Sequence, residues 1–238
     1  MFKMLTSSAK QKLELILMQD ELFQGFTSSE RQQLLHASKI MRHLPNRQIL
    51  KGKQQLDYVY ILLSGSLQVG WIQANGEMKT NDIIGHSMAF NLVALLQNTP
   101  INFDYFTLGN VELALICKDT FFKILQSNAQ ASWGMMQVLS KRMFNLFEQT
   151  RYLKTASLSQ RIAIHLLKLN HQYGIKEGQS DLIQFRISQQ EFSELFNVSR
   201  QTINKYLRHF LDDGLIEWHY SQIRILDRER LEQLSLLQ

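Results

Sequence analysis

Residues 187–214 constrain this chain more than any other stretch, because two capped helical segments are joined there by the three residues Asn197, Val198 and Ser199. Ser188 and Glu191 have the S-x-x-E spacing of a capping box, in which two orphan backbone N–H groups are satisfied reciprocally. Phe192, Leu195 and Phe196 are the expected buried residues of the first helix. Asparagine tolerates left-handed backbone well, which suits Asn197 to a tight turn between helices. Val198 plugs the corner, and Ser199 can cap the second helix. In that helix Ile203, Tyr206, Leu207, Phe210 and Leu211 form one apolar stripe. Arg200, Gln201, Asn204, Lys205 and Arg208 share the other side, at spacings 200/204/208 and 201/205. Every one of them can hydrogen-bond and none is acidic. Arg and Lys can pair with guanine O6/N7, and Asn or Gln with adenine, so the face has the chemistry for reading base edges. The alternative is the solvated face of an ordinary helical hairpin, which usually mixes both signs of charge. Gly214 is placed as C′ after Asp212 and Asp213.

Beyond it, residues 215–218 and 222–226 alternate apolar and polar around His219, Tyr220 and Ser221, which predicts a β-hairpin. Its tip either reaches a phosphate or closes the small core, and the core role is favoured. Upstream, residues 160–169 read as a helix and 170–180 as a polar loop with Gly174 and Gly178. Residues 28–122 have a different texture. Strand-like runs at 49–50, 58–63, 67–72 and 111–117 are punctuated by Gly52, Ser64-Gly65 and Asn75-Gly76. Such spacing points to a small antiparallel barrel or roll. Between the two zones, residues 120–153 read as helix. Ser132, Met136, Leu139, Met143, Leu146, Thr150 and Leu153 recur at alternating spacings of four and three, a coiled-coil-like seam. Trp133, Phe144 and Phe147 lie off that seam, so the helix is expected to pack on two sides. The alternative is the long core helix of a monomer.

Net charge is weak evidence here. Residues 156–238 hold ten Lys/Arg and ten Asp/Glu, so the whole +5 comes from residues 1–155. Cys117 is the only cysteine, which rules out an intramolecular disulfide and cysteine-ligated metal or iron–sulfur sites. It falls in an apolar run and is read as a buried small hydrophobe rather than a redox sensor. His165 and His171, six residues apart, do not share a helical face, so no metal site is expected there. No run approaches the roughly 20 apolar residues of a membrane span, and Lys10, Lys12 and Glu14 interrupt any signal-peptide core. A cytoplasmic location is expected. No nucleophile elbow, P-loop, dinucleotide fingerprint or zinc-protease motif occurs, so the chain is not read as an enzyme.

The run ISQQEFSELFNVSRQTINKYLRHFLDDGLI, with its central S-R-x-T, resembles the helix-turn-helix of the Crp–Fnr superfamily of transcription regulators. Weaker similarities are LFQGFTSSERQQLL, VYILLSGSLQV, ELALICKDTFFKIL and SQRIAIHLL, so the resemblance covers roughly residues 22–226. It implies an α+β chain with an N-terminal antiparallel β-roll like that of cyclic-nucleotide-binding domains. A long dimerisation helix and a C-terminal winged helix-turn-helix would follow. The expected domains are 1–125, with a helical entry, then 126–155 and 156–238. By resemblance, Arg200, Gln201 and Lys205 fall on base-reading positions and Ser199 and Thr202 suit phosphate contact. Gln201 stands where many members carry Glu, and Lys205 where Arg is usual, which forfeits planar bidentate geometry. Met136, Leu139, Met143 and Leu146 are the expected dimer contacts. The implied partners are pseudo-palindromic double-stranded DNA and a second copy of the chain, with RNA polymerase as a possible further one.

The sensory part departs from the pattern. Cyclic-nucleotide binders of this family carry Gly-Glu and later Arg-Ser, whereas here Gly85 is followed by His86 and no arginine lies between Arg47 and Arg142. A phosphate without a guanidinium is poorly neutralised. Leu146 and Phe147 stand where cyclic-AMP responders have small hydroxyl residues, and residues 76–85 look about one strand short. The expectation is a regulator independent of cyclic AMP. The alternative is one of the same fold controlled by a cyclic nucleotide or another small effector. The cluster-binding branch is excluded for want of cysteines. Gly85, His86, Leu146 and Phe147 are the candidate effector-pocket residues. The apolar run Met88, Phe90, Leu92, Val93, Leu95 and Leu96 fits a collapsed pocket, an apolar effector, or haem held by His86. No cofactor or metal is assigned.

Overall fold

Asn128 divides what reads in the sequence as one helical zone, and much of the N-terminal architecture is arranged around it. The structure, a computed structural model, describes residues 2–74, 76–85, 88–184 and 186–236, leaving aside the side chains of residues 2–7, 149 and 153. The chain divides into two compact units, residues 1–71 with 83–145 and residues 72–82 with 146–238, a partition that cuts the long helix at Asn145/Leu146.

In the first unit, α1 (Phe2–Gln19) leads through a 3-10 turn (Glu21–Phe23) to α2 (Ser28–His36), whose start is closed by a Thr27/Glu30 capping box. The strands are β1 (Ser38–His43), β2 (Gln48–Leu50), β3 (Tyr58–Ser64), β4 (Ser66–Ile72), β5 (Met78–Gly85) and β6 (Met88–Phe90). After the short α3 (Leu92–Gln97) come β7 (Asp104–Thr107) and β8 (Val111–Cys117), then α4 (Lys118–Ser127) and α5 (Ala129–Thr155). The strands make two sheets, ordered β1-β8-β3-β6 and β2-β7-β4-β5. β8 lies antiparallel between β1 and β3, with Ile61 opposite Ala114. Val59 to Leu63 are all buried because α1 and α4 cover one side of β3 and the roll interior the other. A strand covered on both faces reads as a continuous apolar run rather than an alternation. Glu112 on β8 accepts from Lys12 of α1 (2.8 Å), Arg42 of β1 (2.8 Å) and Ser64 of β3 (3.1 Å). Burial alone would raise its pKa, but the bonds from Lys12 and Arg42 hold it below the ordinary glutamate value.

The break at Asn128 has an identifiable cause. Its backbone is extended, with φ −120°, and its side chain bridges three segments. Oδ1 accepts from the Gln130 and Ala131 amides (2.9 and 3.1 Å), capping α5, while Nδ2 donates to Gly25 O (3.1 Å) and Glu30 Oε2 (2.8 Å). Gly25 comes so close that an added Cβ would sit 2.2 Å from Gln130 O. Further along α5, Lys141 pairs with Glu21 (2.8 Å) and Arg142 donates to Ala89 O of β6 (2.9 Å). Ala131, Met135 and Val138 are buried, whereas Trp133, Met136, Met143, Phe144, Leu146 and Phe147 are exposed on this single chain and Leu139 is half-buried.

The second unit contains α6 (Leu158–Tyr173), β9 (Gly174–Glu177), β10 (Ser180–Ile183), α7 (Gln189–Leu195) and α8 (Arg200–Asp212). It ends with β11 (Ile216–His219), β12 (Gln222–Ile225) and α9 (Arg228–Ser235). Its sheet is antiparallel, ordered β11-β12-β10-β9. The expected polar loop at 170–180 is instead the last turn of α6 followed by a hairpin around Gly178 (φ +66°). Asn170 belongs to that helical turn, buried beside Leu169 and Tyr173, and donates to Asp181 (2.6 Å). β9 is an exposed edge strand held by backbone pairing, so its side chains carry no apolar alternation. Cys117 is half-buried at the end of β8 rather than fully buried.

Candidate nucleic-acid interface

The junction of α7 and α8 is built from local signals. Ser188 Oγ accepts from the Glu191 amide (3.2 Å) while Glu191 Oε2 accepts from the Ser188 amide (2.6 Å), closing the capping box. Phe192 and Phe196 are buried and Leu195 only half-buried. Asn197 takes the left-handed conformation, φ +54°, that lets the chain turn between the helices. Ser199 caps α8 by accepting from the Thr202 amide (3.1 Å), and the Ser199 and Thr202 hydroxyls lie 2.9 Å apart. One hydroxyl hydrogen of that pair is left to donate outward. At the far end, Gly214 (φ +66°) follows the cap residue Asp213.

Ile203, Leu207 and Phe210 are buried and Tyr206 and Leu211 half-buried, so the apolar stripe anchors α8. Arg200, Gln201, Lys205 and Arg208 are exposed. Among the described residues their side chains make no hydrogen bond or ion pair. Asn204 lies on the border of that face, half-buried, with Oδ1 sealed from solvent and without a partner among the described residues. The exposed side thus offers three cations and an amide, with no acid before Asp212.

Behind α7 an aromatic cluster fixes the orientation. Phe192 meets Trp218 of β11 edge-on (5.0 Å, 80°), Phe196 (5.1 Å) and His165 of α6 (5.7 Å). His165 is half-buried as a residue, but its Nε2 is sealed and unpartnered among the described residues. Burial, seconded by the Lys168 charge, pushes its pKa down to about 3. His171 is exposed. On the hairpin, Ile216, Trp218, Ile223 and Ile225 point into the core. The tip does not: Tyr220 is 94% exposed, so the expectation that the tip closes the core is corrected. The strands alone do that.

Gly85 is buried at the end of β5, His86 lies outside the described residues, and Leu146 and Phe147 are exposed on α5. Of the apolar run after His86, Phe90, Leu92 and Leu95 are core residues, whereas Val93 and Leu96 are exposed. Near that run, the Arg142 guanidinium of α5 donates to the Ala89 carbonyl (2.9 Å). No helix among the described residues is long and apolar enough to cross a membrane.

Residues 160–234 match the model of the Crp-like helix-turn-helix domain, and residues 41–128 that of the cyclic nucleotide-binding domain. The chain is 26% identical, over 74% of its length and 78% of the relative's, to a CRP-like cAMP-activated global transcriptional regulator of Mycobacterium tuberculosis. It is 23% identical, over 74% of its length and 80% of the relative's, to the global nitrogen regulator of Synechococcus elongatus. The solved structure of FixK2 from Bradyrhizobium japonicum shares the fold, with TM-score 0.72 at 13% identity, covering 84% of this chain and 98% of that one. The family that these matches define is one of transcription regulators, not enzymes. With both domain models matched in the order the architecture shows, the chain belongs to the Crp–Fnr superfamily of transcription regulators.

Proposed function

We propose that the chain acts in the cytoplasm as a homodimer on pseudo-palindromic double-stranded DNA, without requiring cyclic AMP. The observation that carries this reading is the acid-free exposed side of α8, held outward by Ile203, Leu207 and Phe210. Arg200, Gln201 and Lys205 read base edges, Arg208 and Asn204 flank them, and Ser199 and Thr202 contact phosphate. Two copies of α8 then enter successive major grooves about 34 Å apart. Exposed Met136, Met143 and Leu146, with half-buried Leu139, supply the apolar face for a second α5. Cyclic AMP is disfavoured because Gly85 is followed by His86 rather than an acid and no arginine lies between Arg47 and Arg142. RNA polymerase is the candidate second partner.

Selection of bound sequences from a random duplex pool tests the reading. A palindromic consensus is expected, with affinity falling steeply as salt rises. Arg200→Ala should cost about 1–3 kcal/mol and relax preference at one base pair. Absence of duplex binding at low salt refutes the proposal, and a melting temperature raised by cyclic AMP refutes its nucleotide-independent part.

A further inference from the structure

We propose that Thr80 and Lys79 of β5 are positioning residues for DNA reading, gripping the corner between α7 and α8 and so setting the direction in which α8 points. This rests on the reading of α8 as a DNA-binding helix. Residues 72–82 belong to the second compact unit, together with the helix-turn-helix. Thr80 Oγ1 donates to Glu194 Oε2 of α7 (2.5 Å), and Lys79 Nζ donates to Asn197 Oδ1 in the turn (2.6 Å), across 114 and 118 residues of chain. Thr80 is 4% exposed. A buried hydroxyl on a carboxylate makes a short, charge-assisted bond, stronger than a neutral one. Glu194 and Asn197 also close the corner on the backbone. The Asn197 amide donates to the Glu194 carbonyl (3.0 Å), and Asn197 holds the left-handed φ of +54°. Thr80 and Lys79 therefore hold by its side chains the same pair whose backbones make the turn. Asp82, two residues beyond Thr80 and on the same face of the strand, lies 4.0 Å from Lys168 of α6, a third tie to the same unit.

Direction, rather than stability, is what this grip adds. The helices are already anchored by Phe192, Phe196 and Trp218 on one side and by Ile203, Leu207 and Phe210 on the other. Apolar burial is non-directional, and it leaves the corner outside the core: Asn197 is exposed and Val198 half-buried. Hydrogen bonds are directional, so two of them at the corner restrict the angle between α7 and α8. The tolerance there is small. Lys205 stands about 9 Å along α8 from the Ser199 cap, at 1.5 Å per residue, so a tilt of about 5° moves it by about 0.8 Å. Productive recognition geometry has to be held to within about 0.5 Å. A corner free to rock by a few degrees would carry Gln201 and Lys205 out of register with base edges.

The test measures affinity for a selected duplex in full-length wild type, Thr80→Val, Thr80→Ser and Lys79→Met. It is run at a temperature where circular dichroism shows every variant folded, so that lost stability does not register as lost binding. Valine keeps the shape of Thr80 without its donor, and methionine keeps the stem of Lys79 without its ammonium. Each should bind about threefold to tenfold more weakly, with the preferred sequence unchanged. Serine restores the donor and should bind within about twofold of wild type. The slope of log affinity against log salt should be the same in all four, because no phosphate contact is lost. If the wild type binds and Thr80→Val or Lys79→Met binds within about twofold of it, that residue does not position α8 and its part of the proposal falls, while the reading of α8 stands. Tighter binding by either variant would make the grip a restraint on DNA binding and overturn the proposal. So would serine binding as weakly as valine, or a variant that folds at no temperature, by giving the contact a purely structural role. A slope shallower by about one in Lys79→Met would make Lys79 a phosphate contact instead. A wild type that ignores duplex DNA overturns both readings at once.

Discussion

Replacing His165 with leucine should flatten the acid sensitivity of the C-terminal unit. In the folded chain the imidazole Nε2 is sealed between α6 and the Phe192/Phe196 pair, and its pKa lies near 3. In the unfolded chain it returns to about 6.5. A group depressed on folding leaves the unfolded state with more bound protons between the two values. Stability is therefore complete above about pH 6.5 and is lost as pH falls towards 3. At about 1.4 kcal/mol per pH unit, a drop from pH 7.5 to 5 costs at most about 2 kcal/mol, an upper bound because the ring is partly exposed. Trp218 touches Phe192 and so reports this unit; urea melts followed by its fluorescence, with Trp71 and Trp133 replaced by Phe, give stability at each pH. The observable is the difference in pH slope between this background and the same protein carrying His165→Leu, which removes the contribution of every other titrating group. Coincident slopes would show that water reaches Nε2 and would refute the sealed-ring argument.

Gly25→Ala forces a Cβ to within 2.2 Å of the Gln130 carbonyl, so the first unit should lose about 1–3 kcal/mol in denaturant titration. Asn128→Asp keeps the oxygen that caps α5 but removes both Nδ2 bonds and sets a second carboxylate against Glu30. A loss of about 1–3 kcal/mol is expected, easing at a pH low enough to protonate the pair. The double variant Leu139→Asp, Met143→Asp should sediment as a monomer and bind its operator far more weakly. Persisting dimers would place the partner surface elsewhere on the chain.

What was legible in the sequence is what short-range physics decides. β3 and β8 announced themselves as apolar runs because both faces are covered, and α7 and α8 because caps, an asparagine turn and a 3–4 stripe fall within one short stretch of chain. The missed features depend on partners remote in the chain. Asn128 looks like any helical asparagine until Gly25 and Glu30, about 100 residues away, arrive beside it. Asn170 reads as the start of a loop, yet its bond to Asp181 lets the helix continue past it. β9 has no apolar pattern because an exposed edge asks for no buried side chain; what its side chains add is the Glu177–Arg224 ion pair (2.8 Å). At the interface, the exposure of Arg200, Gln201, Lys205 and Arg208 follows from helical period alone. The sealing of Asn204 and the projection of Tyr220 are set by neighbours that periodicity does not see.

The freedom of those α8 side chains has an evolutionary consequence. Arg200, Gln201 and Lys205 hold nothing else in place, so exchanging them should change folding stability by no more than about 0.5 kcal/mol. A duplicated gene could therefore acquire a new set of operators in a few substitutions while inheriting its scaffold intact. Asn128 sits at the other extreme: its amide oxygen takes two bonds and its amide nitrogen gives two, a set no other side chain reproduces, and drift there would be punished at once.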